Sequence, residues 1–220
     1  MLVSLWSAKG GAGVSVTAAL AALRAGRRDP DGVVLVDLVG DQPSVLGSSP
    51  TGASGLSDWL SDRGRSPTGL LSCATEVGSG VSLVRRGGAS WPSLDAVDQA
   101  IGVLGDHPSS VIVDAGCLVG DGSDVEVGRR FAAAATRSIL VTRACYLALV
   151  RSRALPIVPS GVVLLREPDR SLTAVDVEVA VGAPIVASID VDPAVARAVD
   201  AGLLSSRSPR GLRRALDAVA

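Results

Sequence analysis

The sequence predicts a single α/β domain over residues 1–220, built as a doubly wound, mostly parallel sheet with helices on both faces. Short Val- and Leu-rich runs are apolar on both faces, as expected for strands buried inside a parallel sheet. Longer Ala- and Arg-rich segments with a helical pattern separate these runs. A chain of 220 residues that is 47% hydrophobic can form one sizeable core, but has no room for a second large domain.

The elements follow one another as alternating strands and helices. The predicted strands are Leu2–Trp6, Val33–Val36, Val81–Val84, Val111–Val113, Ser138–Val141, Val162–Leu165 and Ile185–Ile189. The predicted helices are Ser15–Ala25, Leu56–Ser61, Ser93–Leu104, Ser123–Ala135, Tyr146–Ala154, Leu172–Val181, Pro193–Ala201 and Pro209–Val219. The segment Gly47–Gly55, rich in Gly, Ser, Pro and Thr, is predicted to be a surface loop.

Composition excludes several classes of protein. A formal net charge of −1 gives no global field that would attract nucleic acid or an anionic membrane. The three cysteines (Cys73, Cys117 and Cys145) form no CxxC pair, which argues against a zinc site and a disulfide framework. The apolar run at the N-terminus is too short for a signal peptide, and no stretch approaches the roughly 18–20 apolar residues of a membrane span. We expect a cytoplasmic protein, and peripheral association with a membrane or the nucleoid stays open.

A glycine-rich loop between the first strand and the first helix is the most informative segment. It reads Lys9-Gly-Gly-Ala-Gly-Val-Ser15, and Lys9 is the only lysine of the chain. Glycines allow backbone N–H groups to point inward as an anion-binding nest, and the helix N-terminus adds its dipole. A standard phosphate loop has a lysine before the Ser or Thr, where this chain has Val14. The alternative is a tight strand–helix turn without a ligand.

The loop resembles that of the ParA/MinD family, which reads Lys-Gly-Gly-x-Gly-Lys-[Ser/Thr]. Residues 9–15 match every position except the second lysine, which is replaced by Val14. The resemblance implies ATP or ADP with Mg²⁺ as the ligand. It also implies a homodimer in which Lys9 acts catalytically by reaching the phosphates held by the other protomer. The nucleotide-binding residues that it implies are Gly10, Gly11, Ala12, Gly13, Val14, Ser15 and Val16.

Two aspartates end predicted strands. Asp37 closes Val-Val-Leu-Val-Asp and resembles the first aspartate of the family's switch segment, whereas Asp114 closes Val-Ile-Val-Asp and resembles Walker B. The resemblance implies metal binding by Ser15, Asp37 and Asp114, and a catalytic role for Asp37. The second switch aspartate falls at Val39, and Asp41 replaces it as a catalytic residue only after a local shift of the loop. A turn or cap residue is the alternative interpretation of Asp37.

The changes at Val14 and Val39 predict a weak or absent ATPase that still binds nucleotide, because each lost contact costs roughly 10²–10³ in rate. The leading hypothesis is a spatial-organiser protein that acts through dimerisation and a partner protein of a larger assembly. Members with altered loops, such as the TadZ/CpaE type, localise pilus or secretion machinery. The alternatives are an active ATPase of chromosome or plasmid partitioning and a scaffold that binds no nucleotide.

Two further features concern specificity and surfaces. The stretch Leu164–Pro168 lacks the Asn with which active members recognise adenine, so the base preference stays open. Near the C-terminus, four arginines form either a patch for DNA or membrane or a solvated helix face, and we favour the solvated face. These arginines are Arg207, Arg210, Arg213 and Arg214.

Overall fold

Eight strands form one sheet in the order β3-β4-β2-β5-β1-β6-β7-β8. The computed structural model describes residues 1–48, 54–62, 64, 66–206 and 216–219. All pairings are parallel except that of β3 with β4. The strands are β1 (Leu2–Ser7), β2 (Val33–Asp37), β3 (Thr75–Glu76), β4 (Val81–Val84), β5 (Ser110–Cys117), β6 (Arg137–Arg143), β7 (Gly161–Arg166) and β8 (Ile185–Asp190).

Helices connect the parallel strands. They are α1 (Val14–Gly26), α2 (Gln42–Leu46), α3 (Leu56–Ser61), α4 (Pro67–Ser72), α5 (Leu94–Gly105), α6 (Ser123–Ala134), α7 (Tyr146–Arg153), α8 (Ala174–Val181) and α9 (Pro193–Asp200), with a 3₁₀ turn at Leu216–Ala218. Among the described residues, no helix is both long and apolar enough to cross a membrane.

The predicted fold class is confirmed, and all seven predicted strands are present. Three short elements were not predicted. The strand β3 has two residues and shows no alternation, and the helices α2 and α4 have five and six residues, with a proline near the start of each, and show little helical period. The predicted helix 172–181 begins two residues later, at Ala174. Of the predicted helix 209–219, only residues 216–219 are described, and there the chain forms a 3₁₀ turn. The four arginines of the C-terminal segment lie outside the described residues.

The core has one apolar layer on each face of the sheet. One layer lies against α1, whose alanines at 18, 19, 21 and 22 are fully buried and allow the helix to approach the strands closely. The other layer contains the large side chains of Trp6, Phe131 and Trp59 and packs under α3, α5 and α6. Both faces of the central strands are therefore covered, which explains why those strands read as continuous apolar runs.

The topology brings the predicted site together at one edge of the sheet. β1 lies between β5 and β6, and β2 lies on the far side of β5. The carboxyl ends of β1, β2 and β5 therefore place the glycine loop, Asp37 and Asp114 side by side. This is the edge at which open parallel sheets generally bind their ligands.

Candidate nucleotide site

The glycine loop has the backbone of a phosphate cradle. Gly11 and Gly13 have φ angles of 73° and 90°, in the left-handed region that favours glycine. A Cβ atom on Gly13 would lie 2.9 Å from Leu165 Cδ1, so this position also requires a close approach. Thr17 then starts the helical hydrogen-bond pattern by donating to the Gly13 carbonyl, from its backbone N at 3.0 Å and from its hydroxyl at 2.8 Å. Local conformation therefore explains the glycines whether or not a ligand binds.

A cavity of about 650 Å³ lies over this loop. Its walls include the loop residues 10–16, Val39, Asp41 and, from α9, Asp200. Among the described residues that line it, the only charged side chains are Asp41 and Asp200, and both are acidic. The cavity has the size for phosphates, but its own charge opposes them unless a cation is present.

Val14 lies at the first position of α1 and is only 6% exposed. It belongs to the apolar layer beneath α1, so the isopropyl group is part of the core. The loop therefore offers backbone dipoles and no side-chain cation of its own between Gly10 and Val16. We call Gly10–Val14 together with Val39 the phosphate side of the site.

Asp37 and Asp114 form a buried acidic pair on neighbouring strands. They are direct partners in the register of β2 and β5, and both are fully buried. Asp37 accepts backbone hydrogen bonds from Val39, Gly40 and Gln42 at 3.0, 2.7 and 3.0 Å. Burial raises the pKa of Asp37, and these N–H groups lower it in part. The three backbone N–H groups stabilise the carboxylate form of Asp37, against the effect of burial.

The environment of Asp114 destabilises its charged form. Burial, and then the charge of Asp37, raise the pKa of Asp114 to about 7. Hydrogen bonds from Gln42, the Ser15 hydroxyl and the Gly116 N–H offset part of this effect. A buried carboxylate pair next to a hydroxyl is the environment that a divalent cation would stabilise.

Gln42 forms hydrogen bonds with both Ser15 and Asp114, and the sequence alone did not predict this role. Its Nε2 donates to Asp114 Oδ2 at 2.8 Å and to the Ser15 carbonyl at 2.9 Å, while its Oε1 is buried without a partner. The available signal was a polar residue directly after Asp41 that begins a short helix with Pro43 in its first turn. We call Ser15, Asp37, Gln42 and Asp114 the metal side of the site.

The metal side fits Mg²⁺ only together with a nucleotide. No cluster of three or more His, Cys, Asp or Glu side chains that could hold a metal ion occurs among the described residues. Mg²⁺ commonly binds one or two protein ligands and completes its shell with water and substrate phosphates. The Ser15 hydroxyl and the carboxylates of Asp37 and Asp114 would hold the ion from the protein side, and the ion would neutralise phosphate charge.

Positions 39 and 41 are the two places where a carboxylate could position water, and they differ in side-chain chemistry. Val39 is 42% exposed and lies against Gly116, so the position expected for a carboxylate holds an apolar group. Asp41 is exposed, begins the turn into α2 and lines the cavity. It makes no side-chain cap, so its carboxylate stays available at the cavity wall.

A second cavity of about 300 Å³ continues from the first one past Gly13 and Val16. Its walls are mainly apolar, with Leu20, Leu165 and Ile189 among them, and three carboxylates also line it, those of Asp190, Asp192 and Asp200. Arg143 also lines this cavity and forms an ion pair with Glu167. An apolar slot that adjoins a phosphate cradle has the character of a base-binding pocket. Leu165 belongs to the stretch 164–168 that was considered for recognition of the base, whereas Leu20 and Arg143 had no predicted role at the site.

Lys9 lies apart from these cavities. It is half-buried on the loop, lines neither cavity and forms no salt bridge with a described residue. Backbone N–H groups led by that of Ala148, and the nearby charge of Lys9, lower the pKa of the Cys145 thiol at the start of α7. The single lysine therefore lies at the rim of the site, towards α7.

Comparison with solved structures identifies the architecture. A ParA family ATPase from Chlorobium tepidum superposes with a TM-score of 0.77 at 22% identity, covering 98% of this chain and 97% of that one. MinD from Pyrococcus horikoshii in complex with Mg-ADP gives 0.76 at 18% identity, covering 99% and 93%. The chain has the fold of the ParA and MinD ATPases. No family model matches it, and no curated protein matches its sequence.

The structural match extends over most of the length of each neighbour. MinD from Aquifex aeolicus superposes at a TM-score of 0.78 with 15% identity, and the match covers all of this chain and 95% of that one. The match therefore covers nearly the full length of both chains. At identities this low, the comparison establishes the fold and leaves the chemistry of the site to its own residues.

Proposed function

We propose that this protein is a spatial organiser of the ParA/MinD type that binds adenine nucleotide weakly and hydrolyses it little or not at all. One observation supports the proposal: Ser15, Asp37 and Asp114 lie close together, whereas the phosphate side has no charged side chain. Ser15, Asp37 and Asp114 lie together as a Mg–nucleotide complex would require. Val14 and Val39 offer no charge where hydrolysis depends on it.

The weakness of binding follows from the charges around the cavity. A hydrogen bond to a charged group contributes about 1.5–3 kcal/mol, so the absent lysine lowers affinity by roughly 10–150-fold. The carboxylates of Asp41 and Asp200 act in the same direction. Backbone N–H groups of the loop and a bound Mg²⁺ would supply the remaining attraction.

In such a protein the nucleotide acts as a signal for association. We propose a cytoplasmic homodimer in which Lys9, at the rim of the site, approaches the nucleotide of the other protomer. The dimer would then bind a partner protein of a larger assembly, and pilus and secretion machinery is the class of assembly to test first. A structure of MinC with MinD from Aquifex aeolicus is among the neighbours, at 16% identity and a TM-score of 0.76.

Calorimetric titration with Mg-ATP tests the proposal on the natural protein, a Val14→Lys variant and a Val14→Met control. We expect weak binding to the natural protein and to the control, and at least tenfold tighter binding to the lysine variant. Phosphate release should stay near background in the natural protein. Turnover of the natural protein at a rate typical of working ATPases would overturn the proposal in favour of an active partitioning ATPase.

The acidic walls of the cavity favour a second candidate function, a scaffold that binds no nucleotide. Its expected result is an absence of binding heat for the natural protein at millimolar Mg-ATP. In that case Val14→Lys would either create binding, which would show that the cradle is otherwise intact, or fail to do so. Both results would contradict the nucleotide signal proposed above.

A further inference from the structure

Helices α7 and α8 pack against each other and carry an exposed apolar surface. Nine large apolar side chains are exposed among the described residues, and five of them lie on these two helices. Val179, Tyr146 and Val175 are exposed to 79%, 77% and 65%. A concentration of exposed apolar side chains on two neighbouring helices suggests a site of interaction. The five are Tyr146, Leu147, Val150, Val175 and Val179.

On α7 the apolar stripe has arginines on both sides. At 3.6 residues per turn, Tyr146, Leu147 and Val150 share one face, with Arg151 on one flank and Arg153 on the other. The helix contains no acidic residue. Neither arginine forms a salt bridge with a described residue. Two free positive charges therefore border this stripe.

On α8 the apolar stripe has carboxylates on both sides. Val175 and Val179 are four residues apart on the outer face, and Val177 is buried on the opposite face. Asp176 and Glu178 flank the stripe, and the helix contains no basic residue. The pattern of α8 is therefore the charge complement of that of α7.

We propose that a second copy of this chain occupies the surface, with α7 of each protomer packed on α8 of the other about a two-fold axis. A two-fold axis makes both contacts at once, because an isologous interface uses the same patch on both subunits. Each apolar stripe then buries another one, and arginines meet carboxylates on both flanks. An anionic membrane would meet the carboxylates of α8, so charge favours a second copy.

This interface is distinct from the nucleotide site. None of the five apolar side chains lines either cavity at the glycine loop. The association therefore needs no nucleotide. Its presence or absence leaves the proposed nucleotide function untouched.

Sedimentation velocity of the nucleotide-free protein, with a charge swap, tests the proposal. We expect the natural protein to form a dimer that high salt weakens. The α7 variant (R151E/R153E) and the α8 variant (D176K/E178K) should each self-associate roughly 100-fold more weakly, because like charges then face each other. An equimolar mixture of the two variants should restore the dimer, since both of its contacts again pair opposite charges.

Controls separate pairing from folding. Asp176 accepts hydrogen bonds from the Thr173 N–H and hydroxyl at the start of α8, so its replacement also weakens a helix cap. The matched control is Thr173→Ala, which loses the hydroxyl contacts of the cap and keeps the charges, and it should stay dimeric. Glu178 accepts a hydrogen bond from the Ile185 N–H at 2.7 Å, so circular dichroism must show that the α8 variant is folded. Lys9→Ala should also stay dimeric, which separates this contact from one that depends on nucleotide.

Three results would overturn the proposal. The first is a natural protein that stays monomeric at high micromolar concentration. The second is a mixture of folded α7 and α8 variants that fails to associate when the natural protein does. The third is a natural protein that is monomeric in solution but co-floats with vesicles containing anionic lipid, which would assign the surface to a membrane.

Discussion

The metal side and the phosphate side of the site lie next to each other but differ in what holds them, and Ser15 is the member of the metal side that lines the cavity over the loop. On the metal side, Gln42 links Ser15 to Asp114, and three backbone N–H groups hold Asp37. On the phosphate side, Val14 is part of the apolar core and Val39 lies on Gly116. A buried acidic pair costs stability when no ligand is bound, whereas a buried valine contributes to stability. Hydrogen bonds therefore hold the metal side in place, whereas apolar packing holds the phosphate side.

The largest expected effect concerns the charge of Asp114. Its pKa lies at about 7 in the folded protein and near 3.8 in the unfolded chain, so the folded state binds its proton more tightly. The free energy of unfolding should therefore fall as pH rises from about 4 to about 7, by up to about 4 kcal/mol. Urea unfolding across this range, without nucleotide, measures the slope.

Asp114→Asn is the control for this slope, because the amide does not titrate. The difference in unfolding free energy between the natural protein and Asp114→Asn should favour the natural protein more at pH 5 than at pH 8. Parallel pH profiles for the two proteins would show that Asp114 is already ionised at low pH, and the electrostatic account of the metal side would be wrong.

A second test restores charge to the phosphate side. Val39→Asp in a Val14→Lys background should raise the rate of ATP hydrolysis by roughly 10²–10³ over Val14→Lys alone. Val39→Asn is the matched control, since it has a similar shape but no charge. Equal rates in the Asp and Asn variants would mean that Asp41 already positions the water and that Val39 is irrelevant to catalysis.

The link between the two sides is tested at Gln42. Gln42→Ala removes two buried hydrogen bonds and leaves a small cavity, so it should lower the free energy of unfolding by about 2–4 kcal/mol. Ser44→Ala, on the exposed face of the same short helix, should change it by less than about 0.5 kcal/mol. A similar decrease in the free energy of unfolding for both variants would mean that any substitution in α2 destabilises the protein, and that the hydrogen bonds of Gln42 have no special role.

The smallest expected effect separates two glycines of the loop. Gly13→Ala should cost roughly 1–3 kcal/mol because its φ is 90° and Leu165 Cδ1 lies 2.9 Å from the added Cβ. Gly10→Ala should be nearly neutral, since no heavy atom lies within 4 Å of its Cβ position. Thermal unfolding of the two variants side by side measures the difference, and equal stability would contradict the described loop conformation.

The sequence allowed prediction of features that depend on local patterns. Asp37 and Asp114 each end an apolar run, and parallel strands must bring such ends to one edge, so their proximity followed from the pattern. The partners of Gln42 could not be predicted, because they lie 27 and 72 residues away along the chain. The two-residue strand β3 leaves no periodic signal. The exposed apolar surface of α7 and α8 could not be predicted either, because hydrophobic periodicity alone does not show which helix face the rest of the protein covers.

The central claim is that the metal side still works while the phosphate side does not, and the dependence of ATP binding on Mg²⁺ tests it most directly. Calorimetric titration with ATP should be made on the natural protein and on Ser15→Ala, with Mg²⁺ and with EDTA. The account predicts weak binding to the natural protein that Mg²⁺ strengthens at least tenfold, and no such gain for Ser15→Ala. An affinity of the natural protein for ATP that is the same with Mg²⁺ and with EDTA would contradict this claim.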